Sequence, residues 1–125
     1  MDVMIVESDR QSSEIIADQV REWGHRATVT RTFQQAARIA DQRAYDLMLL
    51  NPLLPDGNGL KLIPLLKRAW PQTRIVIVCA SHSRALELEA LENGVMYYMP
   101  KPVDITRVKS IVDYVDDKIS GNNTG

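Results

Sequence analysis

The sequence predicts a single α/β domain in which five parallel strands alternate with five helices. Short apolar runs recur along the chain, most clearly at 47–50 and 74–79, as in strands that are buried on both faces. Between these runs, apolar residues repeat every three or four positions, as in helices that cover one side of a sheet. The 125 residues, 45% of them hydrophobic, suffice for one core.

The first strand is the run Val3 to Val6, and Ser8 or Asp9 is the expected N-cap of the first helix. Gly24 is expected to end this helix. A second strand follows at 27–30. The second helix begins with a capping box formed by Thr32 and Gln35.

The third strand, 46–50, leads into a loop rich in Pro and Gly and then into a helix from about Gly59 to Trp70, whose first turns Pro64 is expected to loosen. The fourth strand is 74–79, and Ser83 caps a helix that ends before Gly94. A fifth strand is predicted at 95–99. Asp104 caps a last helix, which reaches about Ile119.

Right-handed crossovers between parallel strands favour the flavodoxin-like, doubly wound topology with strand order 2-1-3-4-5. Ligand sites in such sheets lie where the strand order reverses, here between strands one and three. Glu7, Ser8, Asp9 and Asn51 follow those two strands, so we expect them to meet at the carboxyl edge of the sheet.

Tyr45-Asp46-Leu47-Met48-Leu49-Leu50-Asn51, followed by Pro55-Asp56-Gly57-Asn58-Gly59-Leu60, resembles the third strand and loop of receiver domains of two-component response regulators. The resemblance extends from Val3 to about Ile119. It implies that the position of the phosphorylated aspartate is Asn51. The resemblance also implies that Glu7 and Ser8 occupy the positions of the two metal-binding acids, and Cys79 that of the hydroxyl residue. Lys101 and Pro102 match the lysine and the cis-proline that follows it, and Tyr98 matches the switch aromatic.

The residues at these positions are poorly suited to phosphoryl transfer. An amide at position 51 is no anionic nucleophile, and Mg²⁺ prefers several carboxylate and water oxygens. Glu7 and Asp9 are weak candidate ligands, so we expect Mg²⁺ binding to be weak or absent and predict no other cofactor. Lys101 is instead predicted to pair with Glu7 and to donate to the amide oxygen of Asn51. The sequence therefore predicts a pseudo-receiver with no catalytic residue, and not an enzyme.

The last helix carries a heptad-like apolar stripe that either covers the sheet or extends into a dimer seam. The resemblance implies an output and dimerisation surface on the fourth helix, fifth strand and last helix. Its candidate residues are Leu86, Ala90, Tyr97, Val108, Val112 and Val115.

Composition limits the remaining functions. The net charge of −1 and the absence of a basic run give no indication of direct nucleic-acid binding. One cysteine allows no internal disulfide, and no apolar run approaches the roughly 20 residues of a membrane span, so we predict a cytoplasmic domain without membrane contact. We expect a receiver-like domain at 1–119 that starts the protein, and a disordered tail or linker to an output domain at 120–125.

We expect a regulatory module that controls transcription by contact with an output domain or partner protein. One alternative is a working phosphorelay receiver that uses Asp9, Asp56 or deamidated Asn51. Another is an enzyme or nucleotide binder, which the lack of a Gly-rich loop after strand one disfavours. Cys79 is either a redox sensor or, by the general burial of free cysteine, a small core residue. His82 could sense pH, although isolated histidines are more often plain surface residues.

Overall fold

The computed structural model describes residues 1–80 and 83–121. Strands and helices alternate along the chain, and a short hairpin interrupts the alternation after the third strand. In order, the elements are β1 (Asp2–Val6), α1 (Arg10–Glu22), β2 (Arg26–Thr30), α2 (Phe33–Gln42), β3 (Leu47–Leu50), β4 (Leu53–Leu54), β5 (Gly57–Asn58), a 3₁₀ turn (Gly59–Lys61), α3 (Leu62–Ala69), β6 (Arg74–Cys79), α4 (Arg84–Glu92), β7 (Tyr97–Pro100) and α5 (Ile105–Ser120).

The main sheet has five parallel strands in the order β2-β1-β3-β6-β7. This is the predicted flavodoxin-like order, which is therefore confirmed. Val6 pairs with both Thr30 and Leu50, and Leu50 pairs with Ile77. The carboxyl ends of the central strands are thus aligned, so the residues that follow them lie at one edge.

Two apolar layers cover the sheet because successive residues of a strand point to opposite faces. Met4 and Val6 of β1 pack with α2, α3 and α4 on one face. Val3 and Ile5 pack with α1 and α5 on the other. The core therefore lies on both sides of the sheet, as the continuous apolar runs indicate.

Helix ends follow the predicted capping chemistry. Asp9, Thr32, Ser83 and Asp104 each accept a hydrogen bond from a backbone N–H in the first turn of α1, α2, α4 and α5, respectively. Gln35 completes the expected capping box differently, because its oxygen accepts from the N–H of Arg31 at 2.8 Å rather than from that of Thr32.

Two predicted elements differ from the structure, one in its bounds and one in the type of its first turn. The last strand is Tyr97–Pro100 rather than 95–99, since Val95 still follows the turn after α4 and only Met96 begins to bond β6, through its N–H to the carbonyl of Ile75. The third helix starts as a 3₁₀ turn, and Pro64 is the third residue of its α-helical part. A proline is tolerated there because N–H groups in the first turn have few helical acceptors.

Helix α5 ends at Ser120, and Gly121 follows with a left-handed φ of 76°. Most of the predicted tail, residues 122–125, lies outside the described residues, and so does His82. Within the described part of the chain, no helix is both long and apolar enough to cross a bilayer.

Candidate functional site

The site lies where β1 and β3 end beside each other. The N–H of Asn51 donates to the carbonyl of Val6 at 2.9 Å, and that of Glu7 donates to the carbonyl of Thr30 at 2.9 Å. The parallel ladder thus continues one residue past each strand. This backbone arrangement holds the Glu7 and Asn51 side chains next to each other at the carboxyl edge of the sheet.

Glu7, Asn51 and Lys101 form a compact group that we call the Asn51 cluster. The Lys101 ammonium lies 2.5 Å from Oε1 of Glu7, so the predicted ion pair is present. The amide nitrogen of Asn51 donates to both Glu7 oxygens, at 3.0 and 3.2 Å. Glu7 is 3% exposed and Asn51 8%. A buried carboxylate is therefore neutralised by an ammonium and bound by an amide, as burial of a charge requires.

One predicted contact of the Asn51 cluster is wrong. The amide oxygen of Asn51 accepts from the backbone N–H of Leu53, at 3.0 Å, rather than from Lys101. The loop turns back at Pro52 and brings this N–H to the side chain, as in an Asx turn. Asn51 therefore links the carboxylate of Glu7 to the loop that leads away from β3.

Lys101 is placed by the backbone of its own segment. Its N–H donates to the carbonyl of Cys79, at 3.0 Å, at the end of β6. The peptide bond to Pro102 is cis, as the resemblance implies. The side chain then reaches across the strand ends to Glu7.

Asp9 and Ser8 lie beside the cluster without completing a cation site. The N–H of Asp9 donates to Oε2 of Glu7 at 3.1 Å, which gives that oxygen a second donor. The carboxylate of Asp9 accepts from the side chain and the backbone N–H of Ser12, at 2.5 and 3.0 Å, and these bonds lower its pKa. It caps α1, as predicted. Ser8 is exposed and lines a shallow depression above the loop.

These residues do not fit a magnesium ion. Glu7 supplies the one carboxylate of the Asn51 cluster, and both of its oxygens already accept bonds from Asn51. The ammonium of Lys101 already neutralises that carboxylate. No group of three or more acidic, histidine or cysteine side chains with metal-binding geometry occurs among residues 1–80 and 83–121.

Asp56 has a structural role that the sequence analysis missed. Its carboxylate accepts from the N–H groups of Phe33 and Gln34, at 2.7 and 3.0 Å, at the start of α2. These hydrogen bonds, that from Gln34 first, lower the pKa of Asp56. The first turn of any helix has N–H groups without helical acceptors, so a sequence indicates that α2 needs an acceptor there. No local pattern indicates that a loop more than 20 residues away supplies it.

Cys79 and Tyr98 lie on the side of the sheet that α4 covers. Cys79 is fully buried in the core layer, which agrees with its interpretation as a small strand-end residue. Burial raises the pKa of Tyr98 to about 12, and the neighbouring Cys79 and Glu87 add smaller contributions in the same direction. Tyr98 is thus held partly inward, against the core.

The predicted interface residues need correction. Four of them are fully buried inside the domain, because the apolar stripe of α5 and the inner side of α4 are needed to cover the sheet: Ala90, Val108, Val112 and Val115. Leu86 and Tyr97 are half-buried and pack against the core layers. The apolar surface nearby belongs to other residues. Tyr114 is 48% exposed and, with Tyr97 and Ile111, lines a groove of about 390 Å³.

The fold and this site define a receiver-type signalling domain, with its lysine, cis-proline and polar strand-end residues in place. The chain belongs to the response regulator receiver domain family, whose family model matches residues 3–113.

Similar proteins agree with this assignment. The chain is 28% identical over 111 residues to the DNA-binding transcriptional regulator NtrC of Azospirillum brasilense, and the match covers 89% of the chain but 23% of the relative. The chain thus spans about a quarter of the length of this curated relative.

A two-component response regulator from Clostridium difficile superposes with a TM-score of 0.89 at 20% identity, covering 95% of this chain and 98% of that one. The beryllofluoride-activated NtrC4 receiver domain dimer gives 0.86 at 17% identity, covering 94% and 97%. These two structures support the fold.

Proposed function

We propose that this receiver domain is a pseudo-receiver, which regulates an attached or partner output domain by protein–protein contact and without phosphorylation. The observation that carries the proposal is that both carboxylate oxygens of Glu7 are already bound inside the Asn51 cluster, by the ammonium of Lys101 and the amide of Asn51. The likeness to NtrC suggests that the regulated process is transcription.

The chemistry of the cluster supports a fixed state. Transfer of a phosphoryl group requires an anionic nucleophile and cations around the developing charge. The amide of Asn51 cannot attack as a carboxylate does. Asp9 and Asp56, the two alternative acceptors, each use their carboxylate to cap a helix. Phosphorylation of either would remove a cap, so neither geometry favours the phosphorelay alternative.

The proposed contact surface is the groove between β7 and α5, lined in part by Tyr97, Ile111 and Tyr114. Arg107 lies over the Tyr97 ring, 5.8 Å from its centroid, and Lys118 over that of Tyr114, at 5.4 Å. Aromatic residues and arginine are enriched in protein interfaces, which fits Tyr97, Tyr114 and Arg107. One of the similar structures is described as a receiver dimer, and we propose that a second copy or the output domain covers this groove. We further propose that residues 1–119 act as one cytoplasmic unit, with a linker beginning near 120.

An NMR titration tests the absence of a phospho-switch. The ¹⁵N-labelled domain is titrated with Mg²⁺ and then with beryllofluoride, and we expect no saturable shifts at Glu7, Asn51, Cys79 or Tyr98. The matched control is the double variant Ser8→Asp/Asn51→Asp, which restores two carboxylates and should show saturable Mg²⁺ shifts at the same amides. Saturable shifts of the unmodified chain that reach Tyr98 would overturn the proposal.

A further inference from the structure

Acidic and basic residues are separated along the second half of the chain. Residues 57–86 include five Lys or Arg and no Asp or Glu, whereas residues 87–92 include three Glu and no Lys or Arg. The first segment supplies α3 and the second supplies most of α4. These two helices therefore present opposite charges.

The basic side contains an apolar groove of about 460 Å³ between α2 and α3. Leu65 is 49% exposed at this groove. Trp70 forms a wall, and its ring is held by a hydrogen bond of 2.5 Å from Nε1 to the carbonyl of Ala40. Arg38 and Arg68 are exposed on the rim, against one acidic lining residue, Asp41. The groove thus combines an apolar floor with a net positive rim.

Helix α4 has the opposite character on its outer side. Leu88 and Leu91 are 44% and 46% exposed, and their spacing of three residues makes them neighbours on the helix surface. Glu89 and Glu92 are exposed beside them. Ala90, on the inner side, is fully buried and holds α4 to the core. The fold therefore leaves a leucine pair flanked by glutamates on the surface.

We propose that α4 of one copy of this chain docks into the α2–α3 groove of a second copy. Leu88 and Leu91 enter the groove beside Leu65, as an amphipathic helix binds an apolar groove. Glu89 and Glu92 face Arg38 and Arg68, and this complementary charge sets the orientation and speeds association more than it adds affinity.

The contact joins two different surfaces, so it is heterologous and leaves one groove and one helix free in every pair. A second copy that covers the β7–α5 groove with its own β7–α5 groove would instead join one surface to itself. The proposed α4 and α2–α3 surfaces lie on different elements from the β7–α5 groove. The new contact also does not depend on the chemistry of the Asn51 cluster. The proposal therefore stands or fails separately from the proposed function.

Two variants of exposed residues isolate the contact. Arg38→Glu/Arg68→Glu disables the groove and keeps α4, whereas Leu88→Glu/Leu91→Glu disables α4 and keeps the groove. Glutamate is a good helix former, and circular dichroism melts verify that both variants fold. In a mixture, the one productive pairing is the intact α4 of the first variant with the intact groove of the second.

We expect the ¹⁵N-labelled groove variant to show saturable amide shifts at 84–92 when the unlabelled α4 variant is added, and the reciprocal labelling to show shifts at 33–42 and 62–69. Adding the unlabelled groove variant to its labelled form is the matched control, and its apparent Kd should be at least about tenfold weaker. Higher salt should weaken the productive mixture.

Three results would overturn the proposal. These are no saturable shifts at 84–92 at millimolar concentration, equal shifts of the 84–92 amides in the control mixture, or shifts confined to β7 and α5. The last result would show a symmetric contact instead, and the Mg²⁺ and beryllofluoride titration would remain the separate test of the phosphorylation-independent function.

Discussion

Replacing Asn51 by aspartate places a second carboxylate beside that of Glu7. The Asn51 amide nitrogen lies 3.0 Å from Oε2 of Glu7, and an aspartate oxygen would take its place. A favourable amide-to-carboxylate hydrogen bond then becomes a contact between two anions, both at least nine-tenths buried. Within residues 1–80 and 83–121, the ammonium that pairs with Glu7 is that of Lys101.

The size of the destabilisation is set by the lower in free energy of two states, one with both carboxyls ionised and one with a carboxyl protonated. Two unit charges at about 3 Å repel by about 5.5 kcal/mol at an effective dielectric constant near 20. Keeping one carboxyl protonated at pH 7, about 3 pH units above its ordinary pKa, costs about 4 kcal/mol. The protonated carboxyl also restores a donor to Glu7, and Lys101 offsets part of the repulsion. We therefore expect Asn51→Asp to lower the free energy of unfolding by about 2–4 kcal/mol at pH 7.

The pH dependence has a definite sign. The second carboxylate raises the pKa of the pair in the folded protein above the unfolded values near 4. The Asn51→Asp variant is therefore about as stable as the unmodified chain below about pH 4, and it loses stability relative to that chain as the pH rises toward 7. The variant should nearly match the unmodified chain at pH 4.

Urea denaturation at pH 4 and pH 7 measures this difference. Asn51→Ala is the matched control, because it removes the hydrogen bond without adding a charge, and its penalty should be similar at both pH values. Mg²⁺ should recover part of the loss in Asn51→Asp, since the ion binds the folded state, and should leave the unmodified chain unchanged. An Asn51→Asp penalty that is equal at the two pH values, or absent at pH 7, would refute the account of the Asn51 cluster.

Three further predictions concern the loop and the core. Gly59→Ala places a Cβ 2.9 Å from the Cα of Pro52, so the backbone must shift, and urea denaturation should show a loss of about 1–3 kcal/mol; unchanged stability would contradict this close approach. Tyr98, whose raised pKa is about 12, should give an ionisation step near that pH in an absorbance titration that is missing in Tyr98→Phe, and stability relative to Tyr98→Phe should be lost as the pH rises from about 10 to about 12; ionisation of Tyr98 near pH 10 would count against it. Asp56→Asn should speed hydrogen exchange at the Phe33 and Gln34 amides. Its destabilisation should be present above about pH 4 and vanish as the pH falls through the lowered pKa of Asp56; a difference independent of pH would exclude a carboxylate cap.

Local chemistry in the sequence predicted most of the fold. Apolar runs located the central strands, and capping residues such as Asp9 and Asp104 located helix starts. Each signal acts within about one helical turn or one strand, so it survives whatever packs around it. The Glu7–Lys101 pair was predictable because the family resemblance places both residues at the carboxyl edge of the sheet, and because Asn51 and Ser8 leave Glu7 as the acid that Lys101 can neutralise there.

Tertiary packing decided what depends on distant partners. The carboxylate of Asp56 could bind a metal, solvent or a helix, and only the approach of the loop to α2 made it a cap. The stripe of Val108, Val112 and Val115 has one pattern whether it meets a sheet or a second molecule, and the sheet covers it here. Local sequence patterns thus define which segments are strands and helices. The packing of the helices decided which of their faces remain exposed, because periodicity defines an apolar face but does not identify what covers it.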